Sequence, residues 1–154
     1  MRVEWDTSIC ESQPLSAQQI EGFEKITGFN LPADYREIVQ RFPNSYPSKS
    51  SFRVNVGNEL FIAGFGILMT LNPFSEHENV LSTLIRLRKH QDLPENLLPF
   101  AAGGGGDYLC FSYSSSAIEP SVVFWFHEVP GPEGVYPVAE NFAGLLDILF
   151  TEAD

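Results

Sequence analysis

Apolar and polar residues alternate with changing period along this chain, and each change of period marks an element. Ser16 and Gln19 have capping-box spacing, and Ala17, Ile20, Phe23 and Ile26 are expected to share one helical face. Gly28 stands where a helix-ending glycine belongs, with Phe29 ready to fold back. In "NLPADYREIVQRF", Pro32 pre-sets a first turn, and Leu31, Tyr35, Ile38, Val39 and Phe42 form one apolar stripe that Pro43 terminates.

The Ser-, Pro- and Asn-rich residues 44–51 read as loop. In "FRVNV", Phe52, Val54 and Val56 alternate with polar residues, as in a half-buried strand. "GN" then turns the chain into "ELFIAGFGILMTL", which has room for one strand bent at its glycines or for two. Ser75 and Glu78 predict a second capping box, opening a helix to about His90 that carries Val80, Leu81, Leu84, Ile85 and Leu87.

"LLPFAA", four glycines and "YLCFSY" follow, then a serine turn and the β-branched, aromatic "VVFWFHEV". "PGPEG" reads as loop. Asn141 is placed to cap a last helix with Phe142, Leu145, Leu146 and Leu149 on its buried stripe. Strands joined by short turns imply an antiparallel sheet packed with helices, the α+β class. With no repeat and no linker, residues 1–154 are expected to form a single domain.

Composition supports a globular domain, with 44% hydrophobic and 19% charged residues. The charge is unevenly spread. All nine Lys and Arg lie between Arg2 and Lys89, and residues 90–154 hold ten acids and no base, within a formal net charge of −11. Such a surface repels nucleic-acid phosphate and anionic lipid and attracts basic partners, so neither nucleic acid nor membrane is an expected partner. The two cysteines, Cys10 and Cys110, form neither a metal-binding pair nor a disulfide framework. No signal peptide is evident in residues 1–13, and "LFIAGFGILMTL" is too short to span a membrane. A reducing, cytoplasmic setting with both thiols reduced is the expectation.

The glycine run Gly103–Gly106 invites comparison with phosphate-binding loops, which need a following Lys, a Ser or Thr, and a helix N-terminus. Here Asp107 and a strand follow instead, and a carboxylate repels phosphate. The run reads as a tight connection in which at least one glycine has positive φ, with Asp107 accepting hydrogen bonds from nearby backbone N–H groups. His77, His90 and His127 lack metal-site spacing, and His127 and Glu128 are expected on a strand, facing opposite sides. Cys110 alternates within a strand as a small core hydrophobe. No nucleophile elbow surrounds the serines at 112 and 114–116. No catalytic residue, cofactor site or metal site is assigned, and a small hydrolase using the acidic face is the weaker alternative.

Taken together, these segments resemble the SUKH superfamily, in particular its Smi/Knr-type domain. The resemblance rests on Ile20, Phe23, Glu24, Gly28, Leu31, Pro32, Asp34 and Tyr35, then on "LLPFAAGGGGDYLCF" with Gly106 and Asp107, on "VVFWFHE", and on Phe142 in "ENFAGLLDIL". It covers roughly residues 15–150. The segment "PNSYPSKSS" departs from the small-residue turn common at that point in the family.

The resemblance implies helices around an antiparallel sheet and a non-catalytic role. Bacterial members look like immunity proteins that neutralise a cognate polymorphic toxin, often a nuclease; fungal members look like regulatory scaffolds. The expected partner is therefore a protein, a basic toxin domain, with a scaffold module as the alternative. Asp107, Glu119, Trp125, Glu128 and Glu133 are the candidate contact residues, although Trp125 within "VVFWFHE" also suits a core position.

Overall fold

The first helix, α1 (Ala17–Thr27), starts where its cap signal lies. Ser16 Oγ accepts the Gln19 N–H at 3.1 Å and Gln19 Oε1 accepts the Ser16 N–H at 2.8 Å. Gly28 closes it at φ +79°, donating its N–H to the Glu24 carbonyl at 2.8 Å. Only part of the expected face is buried: Ile20 and Phe23 enter the core, Ala17 is exposed and Ile26 is 74% exposed. A step of three residues falls ~60° short of a full turn, so the fourth member points away from the first.

The computed structural model describes residues 3–8, 13–103, 105–114, 119–128 and 131–152. Helix α2 (Ala33–Arg41) follows Pro32 and buries Tyr35 and Val39, with Leu31 ahead of them. Helix α3 (Val80–His90) does not begin at the Ser75–Glu78 box. Its cap is Asn79, whose side chain accepts the Ser82 N–H at 2.9 Å, while Ser75 Oγ accepts the His77 N–H and Glu78 turns elsewhere. A contact distant in sequence selects that start, because the Val80 N–H donates to the Thr70 carbonyl at 2.9 Å. Val80, Leu84 and Leu87 are buried, and Ile85 is not. In α4 (Phe142–Ile148), Asn141 caps as expected, accepting the Gly144 N–H at 2.7 Å.

The strands pair antiparallel throughout. β1 (Trp5–Asp6) joins β2 (Tyr46–Pro47), and β3 (Ser51–Val56) joins β4 (Glu59–Gly64). A four-stranded sheet runs in the order β5 (Leu97–Ala102), β6 (Tyr108–Ser112), β7 (Ser121–Trp125) and β8 (Val135–Ala139). The segment after β4 lies along β5: the Gly66 N–H donates to Ala102 O, the Ala102 N–H to Ile67 O and the Met69 N–H to Phe100 O.

The strands and their connections also depart from the sequence expectation. Residues 44–51 are not all loop, since β2 lies there and Asn44 and Ser45 are fully buried. β7 ends at Trp125, which leaves His127 and Glu128 in a turn. β8 has no counterpart in the sequence expectation. Its Pro137 is tolerated because β8 borders the sheet beside a register shift at Val122 and Val123, where a missing N–H costs no ladder bond.

One hydrophobic cluster takes in residues from Leu15 to Leu149. At its centre Tyr35 presents its ring edge to Phe100, Phe111 and Phe142, at centroid distances of 5.7, 4.9 and 5.5 Å. Phe100 and Phe111 stack at 4.2 Å. These contacts tie α2 and α4 to β5 and β6. Of the motif residues named above, Pro32 is the N-cap of α2, and Leu31, Tyr35 and Phe142 are buried.

Candidate functional site

The glycine run connects β5 to β6. Gly105 and Gly106 adopt φ of +73° and +90°, as a run chosen for backbone freedom requires, and Gly104 lies outside the described residues. The Gly103 N–H donates to the Asp107 carbonyl at 2.8 Å, closing the loop on itself.

Asp107 then reaches across to the end of β7. Its Oδ1 accepts the backbone N–H of His127 at 3.0 Å and lies 2.8 Å from Nδ1 of the same ring. The carboxylate thus holds both the backbone and the imidazole of one residue, with Nδ1 as the proton-bearing nitrogen. The His127 ring covers Gly106 so closely that an added Cβ there would sit 3.2 Å from a ring carbon. Glycine at 106 therefore serves two needs, positive φ and room for an imidazole. Asp107 accepts a backbone N–H as expected, from the neighbouring β-connection rather than from its own loop.

Glu128 and Glu133 are exposed at this same end of the sheet, Glu128 in the turn after β7 and Glu133 in the 3-10 turn Gly131–Gly134. The Phe126 N–H, donating to Gly134 O at 2.9 Å, ties that turn to the end of β7. Glu119 is exposed too, but it precedes the first residue of β7 and so lies at the opposite end, where Asn141 Nδ2 approaches it at 3.5 Å. The candidate contact acids therefore fall into two groups. Trp125 belongs to neither, since it is fully buried. It is the last residue of β7 and takes the core position that its sequence context suited, so a partner cannot touch it in the folded domain.

Spacing gave no sign of a second polar cluster. Tyr108 Oη donates to Glu78 Oε2, while Arg86 Nη2 donates to that hydroxyl at 2.9 Å and to Glu78 at 3.1 Å. Burial raises the Tyr108 phenol to about 12, and the Glu78 hydrogen bond adds to the effect against the opposing Arg86. Glu78 and Tyr108 are 30 residues apart, so nothing local announces the pair.

Cys110 is buried in β6, and desolvation pushes its thiol pKa up, away from nucleophilic chemistry. Cys10 lies outside the described residues. Among the described residues there is no cluster of three or more His, Cys, Asp or Glu able to hold a metal ion, and no helix is long and apolar enough to cross a membrane. Elsewhere, a groove of about 420 Å³ between β1, α2 and α4 sets Asp34 and Asp147 beside Trp5, Ile38 and Leu146. The arrangement at the glycine-loop end is a set of hydrogen-bonded connections with exposed carboxylates. It suits recognition of a cationic surface.

The sequence profile of the SMI1 / KNR4 family (SUKH-1) matches residues 14–148. A search of curated proteins found no match.

Proposed function

Since this chain belongs to the SMI1 / KNR4 family (SUKH-1), we propose that it is a non-catalytic, cytoplasmic immunity protein that binds and neutralises a cognate toxin domain with a basic active surface. The family is one typically associated with immunity proteins. The observation that carries the reading to a basic partner is the charge division: residues 90–154 hold ten acids and no Lys or Arg. Glu128 and Glu133 project from the connections at the glycine-loop end, and they form the first candidate contact. Glu119, at the other end of the sheet, forms the second.

A nuclease must be basic where it grips phosphate, so an acidic inhibitor is both attracted to that site and able to block it. Long-range attraction of this kind raises association from ~10⁵–10⁶ to ~10⁸ M⁻¹s⁻¹ and weakens as the Debye length shrinks from ~8 Å at physiological salt.

The test is stopped-flow association with the C-terminal domain of the protein encoded by the neighbouring gene, where this reading expects the toxin. The expected result is an on-rate that falls steeply with added salt, and that falls further in a Glu128→Lys, Glu133→Lys variant than in Glu119→Lys. An on-rate indifferent to salt and to all three reversals overturns steering. Absence of any binding favours the second reading, a regulatory scaffold of the same family. Accumulated turnover of a substrate by the isolated domain would favour a hydrolase instead.

A further inference from the structure

β4 is an edge strand with three consecutive large apolar residues in solvent. Leu60, Phe61 and Ile62 are 58%, 44% and 51% exposed, and among the described residues β4 pairs with β3 alone. Natural edges of this kind are usually blunted by Lys or Pro. β4 has neither.

The turn before it fixes which backbone groups are free. Val56 and Glu59 are the closing pair of a two-residue turn with φ +63° at Gly57, so an i to i+3 hydrogen bond joins them. Glu59, Phe61 and Ala63 therefore direct their N–H and C=O groups toward β3, and Leu60, Ile62 and Gly64 direct theirs outward. The continuing chain keeps this alternation: the Phe65 N–H reaches back to Ser50 O, and the Gly66 N–H points the other way to Ala102 O. Beyond Ile62 the outer edge closes, because the Gly64 carbonyl already lies against Gly103. Leu60 and Ile62 remain, with no backbone partner among the described residues.

We propose that this edge pairs antiparallel with the same edge of a second copy of the chain, about a two-fold axis through Phe61. The register follows from the free groups. Hydrogen-bonded pairs across the axis must join outward-facing residues, and joining Leu60 to Ile62 of the second copy, and Ile62 to its Leu60, uses these two residues and no others. Phe61 then faces its own counterpart in the closely spaced, non-hydrogen-bonded position. Phe61 lies on the sheet face of the buried Phe52 and Val54, while Leu60 and Ile62 share the other face with exposed Arg53 and Asn55. One pairing thus covers apolar surface on both faces, as a self-complementary contact requires.

Charge selects a second copy over a basic protein as the occupant. Residues 51–64 contain one base, Arg53, and one acid, Glu59, within a chain of net charge −11. Two copies can meet along this neutral strip without opposing like charges, and a basic partner finds no attraction there. The inference is independent of the immunity reading, which concerns the acidic connections of β6 to β8.

A six-residue edge is only ~20 Å long, so the contact falls at the small end of specific interfaces and its dissociation constant in the micromolar range. Sedimentation equilibrium tests it, with the full chain examined from about 1 μM to about 500 μM. The expected mass rises from 17.2 kDa toward twice that value. Ile62→Pro removes an outward N–H without touching the β3 ladder, and Ile62→Lys places charge on the edge. Both are expected to keep the native circular dichroism and to weaken dimerisation at least 30-fold, about 2 kcal/mol. If the proline variant unfolds, the lysine variant decides. A wild-type chain that stays monomeric throughout, or folded variants that dimerise as tightly as wild type, overturns the proposal.

Discussion

Gly66 donates its backbone N–H to the Ala102 carbonyl at 2.7 Å, and a Cβ at Gly66 would lie only 2.4 Å from that same oxygen. The hydrogen bond and the lack of a side chain are one requirement seen twice. This contact begins the run that lays the chain after β4 along β5. Gly66→Ala must push two backbones apart, and the expected loss is ~2–4 kcal/mol from the broken bond and the displaced strand. Gly22, in the middle of α1, has nothing within 4 Å of its missing Cβ. Gly22→Ala is expected to stabilise the fold by up to ~1 kcal/mol. Urea unfolding of the two variants should move in opposite directions.

At Gly106 the backbone and a side chain make the demand together. With φ at +90° and the His127 ring 3.2 Å from the added carbon, Gly106→Val is expected to cost ~1–3 kcal/mol. Asp107→Ala should cost a comparable amount, because it leaves the part-buried His127 N–H without its acceptor. Denaturant titration of both variants and of their double mutant checks the coupling. The double mutant should lose less than the two single losses added, since both act through His127.

Alkaline pH should reveal the Tyr108 cluster. Burial and the Glu78 hydrogen bond raise this phenol to about 12, above an ordinary tyrosine near 10. A folded-state pKa above the unfolded one means that the contribution to stability is complete below pH ~10 and is lost as pH rises toward ~12. Tyr35 and Tyr113 are shifted upward too, chiefly by burial. Tyrosinate absorbance on pH titration should therefore show part of the five tyrosines ionising only as the fold opens. Tyr108→Phe should flatten the stability loss over this window.

Cys110 makes a simple kinetic prediction. Buried in β6 with its thiol pKa pushed up, it should react with a thiol reagent only at the rate of unfolding. A Cys10→Ser, Cys110→Ala double mutant should still fold, at a cost of ~1–2 kcal/mol for the small cavity at position 110. Rapid labelling of Cys110 in the native protein would contradict its burial.

Elements marked by signals within a few residues were legible in the sequence. The Ser16–Gln19 box, the Gly28 cap, the Leu31–Tyr35–Val39 stripe and the Asn141 cap all lie at spacings of three or four, where helical neighbours meet. The turn at Gly57 and the open glycine run before Asp107 were legible for the same reason, since only local φ is at stake. Pairings between distant residues were not. The Thr70–Val80 bond moved the start of α3 past Ser75 and Glu78, which released Glu78 to Tyr108. β8, with its Pro137, exists because β7 offers it an edge. His127 and Glu128 fell outside the strand expected to hold them because β7 ends at Trp125, where its pairing ends. Local spacing encodes caps and periodicity; which face of a strand is buried, and which loops share one end of a sheet, are properties of partners that only the packed chain brings together.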